Sequence, residues 1–164
     1  MTATVLSVNV GTPRTTTWAG RAVTSAIWKV PTKGTVAVRG VNLAGDDQAD
    51  RRVHGGPDKA VYSYSIEDYA WWSEQLGVHV GTATFGENLT TEGIDLNACV
   101  IGTRWQVGTA TLEVAQPRQP CFKLGMRIAR CGMITHDPLL PARPHDIRLV
   151  DDLVEGFAGW VPGR

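Results

Sequence analysis

The chain has 164 residues, with 16 Lys+Arg against 16 Asp+Glu, 43% hydrophobic and 20% charged residues. That make-up fits one globular domain able to bury a core without disulfide staples. Zero net charge argues against nucleic acid or an anionic membrane as an obligatory partner, while a local basic patch would still serve a small anion.

No apolar run approaches the roughly 18–20 residues that span a bilayer. The opening MTATVLSVNVGTPR lacks a basic segment followed by an apolar core, so no secretory leader is expected. Cys99, Cys121 and Cys131 are odd in number and widely spaced, and no CxxC pair occurs. Free thiols, a cytoplasmic location and no cysteine-pair zinc site are expected.

In chain order, Thr4 to Val10 reads as a strand, followed by Ser25 to Val30 (SAIWKV) and Gly34 to Val41 (GTVAVRGV), where alternation is clean. Asn42 to Asp58 is a long loop rich in glycine and polar residues, and such loops are usually functional. Ala60 to Tyr64 is a further strand. Ser65 to Leu76 is the best helix: Ser65 can cap it, Asp68 follows at capping-box spacing, and Gly77 stops it. Ile66, Tyr69, Ala70 and Leu76 recur at helical spacing and are expected to face the core. Phe85 to Thr91 is a second polar loop. Cys99 to Ile101, Arg104 to Val107 and Thr111 to Ala115 are three short strands, with turns at Gly102-Thr103 and Gly108-Thr109. Beyond Arg127, Pro138, Pro141, Pro144 and Pro162 punctuate the chain, and only Ile147 to Val150 suggests a strand. Short strands, 18 glycines and one clear helix favour a mainly β fold, a barrel with a few helices.

Three segments carry candidate chemistry. In QPRQPCFKL, two prolines stiffen the approach to Cys121, and Arg118 and Lys123 set positive charge beside the sulfur, which favours the thiolate. A thiolate is both a nucleophile and a soft metal ligand. By local sequence alone a small buried apolar cysteine is an equal alternative. In GDDQADRRVHGGPDK, His54 precedes Gly55-Gly56, whose backbone can approach a ligand closely, and Arg51, Arg52 and Lys59 suit phosphate. A surface turn with solvated charges explains the same residues. In FGENLTT, Glu87 and Asn88 could read the edge of a heterocycle, or simply form a turn. No GxGxxG, P-loop, HExxH or GxSxG pattern occurs, which lowers the prior for dehydrogenases, NTPases, zincins and α/β-hydrolases.

Taken in order, VLSVNVGTPR, GDDQADRRVHGGPDKAVYSY, FGENLTTEGI and QPRQPCFKLGMR resemble the MOSC domain, named from the C-terminus of molybdenum cofactor sulfurases, and most of all its YiiM-like subgroup. The match is read over about 5–126 of a single domain spanning 1–164, with 127–164 as an atypical tail. The resemblance implies a MOSC-type β-barrel and a molybdenum cofactor bound as molybdopterin, with no part for pyridoxal phosphate. It implies that Cys121 is the molybdenum ligand, beside the two pterin dithiolene sulfurs. It further implies reduction of a small N-hydroxylated substrate, with electrons from a separate donor protein. By motif position His54 joins Cys121 as a candidate catalytic residue. Arg118, Lys59, Glu87, Asn88, Gly55, Gly56 and Lys123 are candidate cofactor contacts. Two other readings use the same residues: a sulfur carrier with a persulfide on Cys121, and a non-catalytic pterin-binding domain. The tail is expected to pack less well; if the final strand usual in the family is missing from it, a barrel edge is left open.

Overall fold

The computed structural model describes residues 3–118, 121–130 and 145–149. Its elements run β1 (Thr4–Val10), β2 (Arg14–Trp18), β3 (Arg21–Ser25), β4 (Val30–Pro31), β5 (Val38–Arg39), β6 (Asn42–Leu43), β7 (Val61–Ser65), α1 (Ile66–Leu76), β8 (Leu89–Glu92), β9 (Arg104–Val107), β10 (Ala110–Pro117), α2 (Phe122–Arg130) and β11 (His145–Leu149). Single 3₁₀ turns occupy Pro57–Lys59 and Leu96–Ala98.

Seven strands form one sheet in the order β4-β1-β8-β7-β11-β10-β9, and β2-β3 and β5-β6 are separate hairpins. Every pair in the large sheet is antiparallel except β7 with β8. A parallel pair needs a crossover, and α1 lies in the one between them. The Ser65 hydroxyl accepts from the Asp68 N–H at its start, and Gly77 ends it in the left-handed conformation at φ 65°. Both sequence signals therefore act as read.

The centre of the sheet is covered on both faces, which is why all five residues of β7 are buried. One face carries Val61 with Val8, Leu43, Leu89, Ala110 and Leu112. The other carries Tyr62 and Tyr64 against Tyr69 and Trp72 of α1, Phe85 and Ile128 of α2. Burying one such side chain contributes about 1.5–3 kcal/mol, so these two clusters hold the molecule. The β2-β3 hairpin, by contrast, keeps most of its residues exposed or half-buried. It turns at Ala19 and Gly20, both at positive φ (47° and 76°), as a tight hairpin requires.

Several expectations are corrected. Among the described residues the sheet is open, with β4 and β9 as its edges, so no closed barrel is formed. β4 is only two residues long and ends in Pro31, which has no N–H to continue a ladder. The expected strand over Ser25 to Val30 is an irregular connection between β3 and β4, and Gly34 to Val41 retains only β5. Thr90 and Thr91, read as loop, lie in the buried strand β8. Cys99 to Ile101 is a loop and turn rather than a strand, with Val100 and Ile101 exposed. On α1 it is Trp72, not Ala70, that is buried with Tyr69.

The tail differs most. β11 is not missing from the sheet but sits inside it, pairing with β10 from Leu112↔Leu149 to Pro117↔His145 and with β7 from Val61↔Ile147 to Ser63↔His145. It begins two residues before the expected Ile147. Cys131 and the four tail prolines lie outside the described residues.

Candidate functional site

An open cleft of about 620 Å³, its mouth included, is lined by residues from four stretches of chain that are far apart in sequence. Ser25 to Lys29 supplies one wall, and Asp46 to Lys59 supplies another with His54 and Lys59. Phe85, Gly86 and Asn88 form part of the floor beside Tyr62. Arg118, Cys121 and Lys123 close the set.

Each group is held by identifiable local chemistry. Cys121 immediately precedes α2, and its carbonyl accepts the Leu124 N–H at 2.9 Å. The helix is anchored by buried Met126 and Ile128, and by Arg127, whose guanidinium donates to the carbonyls of Thr84 and Ala83 at 3.3 Å. Arg118 lies over the ring of Tyr62, 5.0 Å from its centroid, a cation–π contact.

The long loop is pinned by Gln48. Its side chain accepts the Gly56 N–H at 2.8 Å and donates to the carbonyls of Val41 and Lys59 at 3.2 and 3.3 Å. A Cβ on Gly55 would stand 2.3 Å from Gln48 Oε1, and Gly56 adopts φ 95°. The glycines thus serve close packing of the loop on itself; neither lines the cleft. Asp50 accepts the N–H groups of Arg52 and Val53, shaping the turn that carries His54. Burial, with the charges of Lys123 and Arg118, holds the His54 imidazole below its ordinary range, so it is neutral at pH 7.

Glu87 and Asn88 are not equivalent. Glu87 is fully buried and does not line the cleft. Its Oε1 accepts from the Tyr69 hydroxyl, from the Ala83 N–H at 2.7 Å and from the Thr90 hydroxyl at 2.8 Å. The expectation that it contacts a cofactor is corrected: its carboxyl ties α1, the 83–88 turn and β8 together. Asn88 does reach the cleft, but its amide is spent on the fold. Its Nδ2 donates to Asn9 O at 3.1 Å and Asp46 Oδ2 at 2.9 Å, and its Oδ1 accepts from Tyr62 N at 3.1 Å.

Two residues that were not singled out in the sequence complete the floor. Asp46 Oδ1 accepts the Gly11 N–H at 2.8 Å and pairs with the Lys29 ammonium; both side chains are buried, at 2% and 8% exposure. A lysine inside the apolar run SAIWKV was the available signal. Among the described residues no group of three or more His, Cys, Asp or Glu stands ready to hold a metal.

Fold and cleft together define a mainly β protein whose site offers one thiol, one neutral imidazole and several cations. The MOSC domain model matches residues 50–161, and the chain belongs to the MOSC domain family. The match continues past Met126 into the stretch that the sequence reading had set aside as a tail. The chain is 43% identical over 130 residues to the uncharacterised protein YflK of Bacillus subtilis, covering 79% of this chain and 59% of that one. It is 41% identical over 104 residues to YiiM of Escherichia coli, covering 61% and 46%. It is 36% identical over 113 residues to a protein of Gibberella moniliformis named "Reductase", covering 66% and 20%. The crystal structure of YiiM from Geobacillus stearothermophilus superposes with a TM-score of 0.61 at 28% identity, over 91% of this chain and 68% of that one. The chain thus spans about half the length of the curated relatives it matches. No helix among the described residues is long and apolar enough to cross a membrane.

Proposed function

We propose that the cleft binds a molybdenum cofactor as molybdopterin, with Cys121 as the metal ligand, and that the protein reduces small N-hydroxylated compounds. The observation that carries this reading is the convergence of Cys121, His54, Arg118, Lys59 and Lys123 on one cleft from separate segments. The donor set suits such a group. A soft thiol fits a soft metal centre, and clustered guanidinium and ammonium groups fit a phosphate. The family membership and a relative named "Reductase" point the same way.

When bound, the cofactor supplies the two-electron change that oxygen removal from nitrogen requires. The chain does the rest. Cys121 would hold the metal at the start of α2. Arg118, Lys59 and Lys123 would hold the anionic end. His54, kept neutral, has both an acceptor nitrogen and an N–H to orient a hydroxylated nitrogen. The electrons come from a separate donor protein.

The test is reduction of a simple N-hydroxylated compound by protein made in a cofactor-synthesising host, with an artificial electron donor. Turnover that disappears in a folded Cys121→Ala protein is the expected result. A persulfide on Cys121 in metal-free protein would favour the sulfur-carrier reading instead.

A further inference from the structure

Lys29 has no role in the reading above, yet it is the most enclosed cation of the cleft. Its side chain is 8% exposed. Asp46 fixes it, and Asp46 is itself fixed by the Gly11 N–H and by Asn88 Nδ2. An ammonium has three N–H donors. One meets Asp46, and no other described residue takes the remaining two. A buried ammonium with unspent donors is costly unless an acceptor reaches it, and Lys29 lines the cleft together with Cys121.

We propose that Lys29 is a ligand-facing residue that gives its unspent N–H donors to an oxygen of the bound molecule, and that in N-hydroxyl reduction it protonates the oxygen as the N–O bond breaks. The second half rests on the function proposed above. The step balances as follows: R–NH–OH, two electrons and two protons give R–NH₂ and H₂O. The N–O bond breaks, and the nitrogen is reduced by electrons from the donor protein. One proton passes from Lys29 to the departing oxygen and the other comes from water. Lys29 then recovers its proton from solvent.

The other cleft groups suit this task less well. The Arg118 guanidinium does not release its proton. The Lys59 ammonium donates to the Val53 carbonyl at an exposed position. His54 is held neutral. The charged groups facing Lys29 are Asp46, Arg118 and Glu87. Burial lowers its affinity for a proton first, Asp46 raises it, Arg118 lowers it and Glu87 raises it, with a net downward shift. Lys29 is thus a stronger acid than an ordinary lysine, while Asp46 keeps the charged form partnered.

The test has two arms on the full chain. The first needs no turnover: cofactor-free protein is acetylated with acetic anhydride across a pH series, and Lys29 is followed by peptide mass spectrometry beside a free lysine amide. Modification of Lys29 in the folded chain, rising at lower pH than the free amine, is expected. A Lys29 that resists acetylation until the chain unfolds overturns the ligand-facing role. The second arm compares Lys29→Arg with the parent, both loaded with cofactor. Arginine keeps the charge for Asp46 but cannot give up its proton. Equal cofactor content and melting, turnover lower by about a hundredfold, and loss of the alkaline fall in rate are expected. Turnover within about twofold, with the alkaline fall unchanged, overturns the proton transfer. A loaded parent that reduces no N-hydroxylated compound sinks the proposed function and the proton transfer together, while the acetylation result still decides whether Lys29 faces the ligand.

Discussion

Glu87→Ala is expected to act on stability, and its size follows from the hydrogen bonds it removes. Three donors converge on Glu87 Oε1: the Tyr69 hydroxyl, the Ala83 N–H and the Thr90 hydroxyl. All lie in fully enclosed surroundings, and each buried donor left unmet costs about 1–3 kcal/mol. The hydroxyls can rotate in search of other acceptors, whereas the Ala83 N–H is fixed by the turn. A loss of roughly 3–6 kcal/mol is therefore expected, a large share of the about 5–15 kcal/mol that holds a typical domain. Glu87→Gln keeps an acceptor in place and should cost far less. pH separates the two further. Burial raises the Glu87 carboxyl above its ordinary 4.5 despite the donors around it. Below that value both folded and unfolded chains hold the proton. As pH rises through the window between the unfolded and folded values, the unfolded chain ionises first and stability falls. Gln at 87 lacks this loss, so its deficit relative to the parent should shrink from pH 4 to pH 7. Urea unfolding of parent, Ala and Gln proteins at both pH values measures all of this. A Glu87→Ala midpoint equivalent to the parent's would refute the argument. So would a Gln protein of parental stability that no longer retained cofactor, because Glu87 would then touch the ligand.

Other outcomes follow from the same geometry. Gly86→Ala should destabilise by about 1–3 kcal/mol, because Gly86 sits at φ 77° and a Cβ there would lie 2.6 Å from Ile27 Cγ1; thermal melts decide. Gly55→Ala pushes a Cβ against Gln48 Oε1 and should loosen the loop that carries His54, visible as faster amide exchange at Gly56 and lower cofactor retention. His54 should titrate below 6.5 by NMR. The stability contributed by its neutral form is then present above that value and lost as pH falls through the folded one, a dependence that His54→Gln removes. Cys121→Ala should lose molybdenum and turnover while melting like the parent, and Cys99→Ala should lose neither, since Cys99 lies outside the cleft.

What was legible in the sequence was what local rules govern. The Ser65 cap, the Gly77 stop and the strand over Thr111 to Ala115 all appear where local signals placed them. The clustering of Cys121, His54 and Asn88 was readable because polar residues in loops of an otherwise patterned chain mark a site. Roles that depend on burial were not readable. Glu87 and Asn88 are neighbours in sequence, yet one is fully enclosed and the other lines the cleft, a difference set by the turn between Ala83 and Leu89. Lys29 was hidden for the same reason: its partner Asp46 lies 17 positions away, on a loop whose path the sequence does not give. The strand β11 was signalled over Ile147 to Val150, but its place between β7 and β10 was not, because both pairings are wholly long-range and no nearby signal marks a strand received between two others.

The claim on which the account turns is that this cleft holds a molybdenum cofactor through Cys121. Metal and pterin analysis of the purified chain, made in a host that synthesises the cofactor, tests it most directly. The account predicts molybdenum and pterin in equal amounts, stoichiometric with the parent chain, and both lost in a folded Cys121→Ala protein. A folded parent carrying neither, or a Cys121→Ala protein retaining its full molybdenum, would contradict it.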